Sequence, residues 1–149
     1  MPFAGYDPAN YWLNTNEWSF PVCEVLHIIG FAILIGTIMI VDLRLLGLGM
    51  RRQTSAELIK DTAPWTLTGL VMVLTTGPLI MFSDPGMYFY NKSFRFKMGM
   101  LLLAMLWNWT IHRKVANMKE PGDMGKFVAM ISILMWVSLI FAGIFIAFI

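Results

Sequence analysis

PVCEVLHIIGFAILIGTIMIVDL, residues 21–43, decides the fold: it is a long apolar run in which only Glu24 and Asp42 carry a formal charge, with His27 between them. A bilayer core about 30 Å thick needs about 20 apolar residues in a helix that rises about 1.5 Å per residue. This stretch is long enough to cross. Three more follow it, at about 64–82, about 94–112 and about 127–149. Pro21 and Pro64 stand at natural helix openings, and Pro85-Gly86 and Pro121-Gly122 are turn dipeptides that mark two of the loops. The expected fold is all-α: one membrane domain over residues 1–149, a polytopic bundle of four transmembrane helices.

Composition agrees. Of 149 residues, 58% are hydrophobic and 13% charged, about half the charged share of a soluble globule. Thirteen methionines and the many aromatics exclude disorder. The single cysteine, Cys23, cannot close an intrachain bridge. A net charge of +2, scattered along the chain, makes no nucleic-acid footprint. The expected partners are therefore the lipid bilayer and other membrane subunits or further copies of this chain.

Thr54-Ser55-Ala56-Glu57 reads as a capping box that opens a short helix through about Asp61. Arg44, Arg51, Arg52 and Lys60 lie in that first loop, and Arg113, Lys114, Lys119 and Lys126 flank the third; only Lys92, Arg95 and Lys97 fall on the other side. The positive-inside rule then places both of these loops inside and both termini outside. Residues 1–20 hold no Lys or Arg, unlike a secretory signal. Their Tyr6, Tyr11, Trp12, Trp18 and Phe20 read as an interfacial aromatic segment.

Ionisable groups inside a bilayer cost about 2.5–3.5 kcal/mol each on insertion scales, so the faces they occupy point to the bundle interior. Glu24, His27 and Asp42 share one stripe of the first helix if it holds 3.6 residues per turn. On the third helix Lys97, Asn108 and His112 cluster within about 60° at 100° per residue. The two stripes should face each other in two layers: Glu24, His27 and Lys97 near the outer surface, and Asp42, Asn108 and His112 near the inner one. Asp42 is expected to pair with His112 or to cap the bundle. Pro78 sits in the second helix at the depth of the outer layer and frees the carbonyl of Leu74.

Glu24-x-x-His27 has the spacing of di-iron bundles but is half of such a site. The methionines follow no ligand spacing and read as packing. His27 is the candidate axial ligand of a b-type haem, with Gly30 leaving room for a porphyrin and Glu24 and Lys97 tuning it or holding a propionate. The competing reading makes His27, Glu24 and Lys97 a buried polar cluster that fixes helix register. A lipid or quinone is the other ligand class that would suit this site.

His27, Gly30 and Gly36 in the first helix, Asp42-Leu43-Arg44-Leu45-Leu46-Gly47 at its end, Pro64-Trp65, and Phe94-x-x-Lys97 together resemble a family of small bacterial four-helix membrane proteins without assigned function, over about residues 18–149. More remotely, His27 and Lys97 are similar in placement to the essential histidine and lysine of the protoporphyrinogen-type membrane oxidase, which binds haem b, and to residues of the copper-resistance D membrane domain. The resemblance implies a membrane redox or electron-transfer subunit with haem b on His27. The alternatives are a non-catalytic accessory or self-assembling subunit, and a metal or proton transporter using the two polar layers as relay stations.

Overall fold

In the computed structural model, which describes residues 3–148, all the regular structure is helical. Helix α1 spans Ser19–Leu45, α2 spans Ser55–Ser83, the short α3 spans Pro85–Tyr90 and α4 spans Lys92–Trp107. A π-helical turn, Asn108–His112, and α5, Arg113–Ala116, continue α4 as one rod, and α6 spans Gly122–Phe145. Two 3₁₀ turns, Pro8–Asn10 and Trp12–Asn14, precede α1. Three helices, α1, α2 and α6, are long and apolar enough to cross a membrane. The fourth rod packs beside them but reaches its length only by joining three helical segments. Ile149, at the end of the expected fourth span, lies outside the described residues.

All four rods contribute to one core, in which Leu34 and Ile38 of α1, Leu70 of α2, Leu101 of α4 and Trp136 and Leu139 of α6 are buried. The outward positions are apolar as well: Ile28, Leu67, Leu102 and Leu134 are all more than half exposed. A helix set that is apolar on both sides is built for a lipid surround. On α1 the buried positions recur at sevens, Cys23 with Gly30, Leu34 with Val41 and Ile38 with Leu45, the repeat of left-handed supercoiling.

α1 and α2 pack more closely than any other pair. A Cβ on Gly69 would lie 2.7 Å from the Leu34 nitrogen and 2.8 Å from the Gly30 carbonyl oxygen, so the two backbones touch where a side chain is missing. α1 ends in a Schellman motif: Gly47, at φ 78°, donates to the Arg44 carbonyl and Leu48 to that of Leu43. The capping box at Thr54 and Glu57 forms, but it opens the whole of α2 rather than a separate piece. The helix runs through Pro64 because proline's fixed φ is already helical and the carbonyl it frees, on Lys60, belongs to an exposed residue.

The end of the bundle that carries Ser19, Ser83, Lys92 and Phe145 is called the near end, and the opposite one the far end. At the near end the aromatic segment folds across the helix termini. Leu13 is buried, Asn14 donates from Nδ2 to the Ser83 carbonyl at 2.9 Å, and the Tyr6 hydroxyl donates to that of Phe82. Asn91 does the same for α6, reaching the Ile146 carbonyl at 3.0 Å. These side chains satisfy carbonyls that a helix C-terminus leaves without partners.

Candidate functional site

Asp42 on α1, His112 on the π turn and Ser132 on α6 meet in the far half of the bundle. His112 Nε2 donates to Asp42 Oδ1 at 2.5 Å, and the Ser132 hydroxyl donates to Oδ2 at 2.7 Å. All three are essentially excluded from solvent, at 1%, 2% and 0% exposure. A carboxylate withdrawn from water is tolerable when donors reach both oxygens, and here each has one. The π turn is part of the arrangement: the Thr110 hydroxyl bonds back to the Leu106 carbonyl at 2.5 Å, and the widened turn carries Asn108, Trp109 and His112. Such turns inside α-helical rods often mark functional sites.

A cavity of about 320 Å³ opens beside the cluster, between α1, α2 and this turn. His112 lines it and Asp42 does not; Asn108, Arg113, Trp109, Thr37, Thr62 and Thr66 supply the rest of its polar and aromatic lining. The Thr66 hydroxyl reaches Thr37 Oγ1 at 2.8 Å. Because Nε2 is committed to Asp42, Nδ1 is the polar ring atom His112 has left. In the tautomer that donates from Nε2, that atom is a hydrogen-bond acceptor, and the Asp42 side chain lies behind the ring. Arg44 anchors the loop that follows α1, donating from Nε to the Gln53 carbonyl at 2.6 Å.

The near-end residues are arranged differently. His27 Nδ1 lies 2.7 Å from the Thr76 hydroxyl, whose own proton goes to the Met72 carbonyl at 2.6 Å. The imidazole must then donate from Nδ1, which leaves Nε2 bare in the neutral ring. Cys23 turns its thiol to the Thr76 carbonyl at 3.9 Å. Lys97 lies over the Phe31 ring, 4.8 Å from its centre, while His27 meets the same ring edge-on at 5.2 Å. His27 and Lys97 are thus brought together around Phe31. Glu24 is not: it is exposed and, among the described residues, forms no ion pair with Lys97.

Gly30 does not leave room for a porphyrin inside the bundle. A Cβ there would lie 2.7 Å from Met72 Cβ and 3.2 Å from the Gly69 carbonyl oxygen, so α2 occupies the notch. Among the described residues no three His, Cys, Asp or Glu side chains gather as a metal-ligand set. The Gly30 notch therefore offers no place for a porphyrin within one copy of this bundle. Nor do the two polar clusters join. His27 and Asp42 are fifteen residues apart on α1, about 22 Å, and the apolar core of Leu34, Ile38, Leu101 and Leu139 lies between them.

Pairing of Asp42 with His112 is present, as expected from the helix faces. Ser132, Thr37, Thr66 and Trp109 are additions that packing reveals. Ser132 had one sequence signal, its position in the row Ala129, Ser132, Trp136, Leu139, which is the buried face of α6.

The fold defines a multi-pass helical membrane protein. A family model described as a family of unknown function (DUF6644) matches residues 18–149, and the chain belongs to that family. No curated protein and no solved structure matches it, so the remote likeness to the haem-synthesis oxidase and the copper-resistance domain gains no support from either comparison.

Proposed function

We propose that the protein is a four-span bundle of the bacterial cytoplasmic membrane, with both termini outside, whose far-end cavity binds a lipid-soluble molecule with a hydrogen-bonding head group, of the quinone and quinol class. Crossing by the fourth rod is supported by the outward-facing Leu102, Leu103 and Leu106 of α4, all more than half exposed. Orientation is supported by the basic residues gathered around the Arg44 and Arg113 loops.

The observation that carries the ligand reading is the buried Ser132–Asp42–His112 cluster in and behind the wall of an otherwise largely apolar cavity. Ligand sites combine apolar walls with a few convergent polar groups. Here His112 offers an acceptor to a head-group hydroxyl, Asn108 and Arg113 offer donors to an oxygen, and Trp109 and Leu67 offer apolar surface. Asp42 orients the imidazole and would stabilise it if it took up the hydroxyl proton. α2 and α4 are scarcely in contact, so a membrane-dissolved molecule can enter sideways between them.

Titration of the purified protein with a short-chain quinone analogue, followed by tryptophan quenching, tests this. Saturable quenching is expected, with the Trp109→Phe variant losing most of the signal. His112→Gln should weaken binding about 10- to 100-fold, the range for one hydrogen bond to a charge-backed group. Quenching that does not saturate, or an unchanged affinity in His112→Gln, would overturn the reading.

A further inference from the structure

A groove of about 560 Å³ runs between α4 and α6 on the outer surface of the bundle, away from the far-end cavity. Lys92 and Ser93 stand at its near-end mouth, and Phe96, Phe141, Phe145 and Leu134 form its walls. We propose that it seats one anionic phospholipid, with the phosphate at Lys92 and Ser93 and an acyl chain along the phenylalanines.

Three features favour this occupant. The first is length: Phe145 to Leu134 is eleven residues, about 16 Å of helix, which matches one leaflet of a core about 30 Å thick. The second is the wall. Ser138 and Ala142 put small residues at four-residue spacing on the groove's floor, the kind that lets helix backbones approach, but exposed phenylalanines stand at its edges, with Phe96 at 52% and Phe141 at 56%, and hold a partner backbone off that floor. The hydroxyl of Ser138 gives its proton to the Leu134 carbonyl at 2.7 Å and so has none to donate to a partner helix. The third is charge. Lys92 is the only ionisable side chain lining the groove among the described residues. The proposal rests on α4 crossing the bilayer and is independent of the quinone reading.

Native mass spectrometry of the whole protein in detergent, with phosphatidylglycerol or phosphatidylcholine of matched chains, provides the test. Wild type should retain phosphatidylglycerol about fivefold better, the size of one basic side chain's attraction for an anionic lipid. Lys92→Gln should bring the two lipids to parity. Leu134→Trp, which fills the deep end from an exposed position, should lower retention of both lipids by a similar factor. Equal retention by wild type, or a preference that survives Lys92→Gln, would overturn the proposal. So would a dimer that Leu134→Trp splits, because it would assign the groove to a second copy.

Discussion

Replacing Asp42 with leucine removes both acceptors of the buried cluster in one step. His112 then keeps an N–H at 2% exposure with nothing to receive it, whereas Ser132 can turn its hydroxyl back onto its own helix. Breaking a buried pair from one side costs about 3–5 kcal/mol. His112→Leu strands the carboxylate with Ser132 alone and should cost a similar amount. The double variant leaves neither group behind, and apolar replacement of a whole buried pair is often neutral. The two single costs should therefore sum to about 6–10 kcal/mol while the double falls far short of that. Unfolding in mixed micelles by stepwise addition of dodecyl sulfate, followed by circular dichroism, would measure all four proteins. Additivity within about 0.5 kcal/mol would refute the geometry, because groups that do not touch do not couple.

Gly69→Ala should destabilise by about 1–3 kcal/mol, since its methyl meets backbone atoms of Leu34 and Gly30, while Gly36→Ala, with open space around it, should gain up to about 1 kcal/mol; equal effects in the same titration would contradict the α1–α2 contact. Burial, and then the neighbouring Glu24 and Asp84, hold the Tyr88 phenol above its usual 10.0. A raised value in the folded protein means stability that is complete below pH 10 and is lost as pH rises through the raised value. Tyr88→Phe should accordingly shift alkaline unfolding to higher pH, and an unmoved midpoint would count against this half-buried placement of the phenol. The filled notch at Gly30 predicts that protein purified after haem-replete growth shows no Soret band; a band that His27→Ala abolishes would contradict that.

Element type was plain from hydropathy, because lipid solvates every outward position and leaves long apolar runs. The ends were less plain. Pro64 reads as a helix start, yet α2 begins at Ser55 and carries proline in its interior, because the carbonyl a proline frees can be satisfied by other groups. Glu24 and Asp42 were placed on one stripe by counting 3.6 residues per turn. In a supercoiled bundle the buried seam follows 3.5, and over eighteen residues the two diverge by about 50°. Asp42 is buried and Glu24 exposed. Asp42 and His112 were legible as partners because both are ionisable and lie toward the same end of facing helices. Thr37, Thr66 and the cavity were not, because a threonine in a membrane helix usually bonds to its own backbone and its wider contacts depend on how neighbouring rods are rotated.

The strap across the near end imposes an order on biogenesis. Tyr6 and Asn14 leave the ribosome early, but the carbonyls they bind, on Phe82 and Ser83, are 76 and 69 residues downstream. Their closure must wait until the second helix has been translated and its C-terminus delivered to the same face of the membrane. Residues that precede α1 thus lock only after α2 is complete, and a nascent chain stalled before Ser83 would leave this aromatic segment untethered.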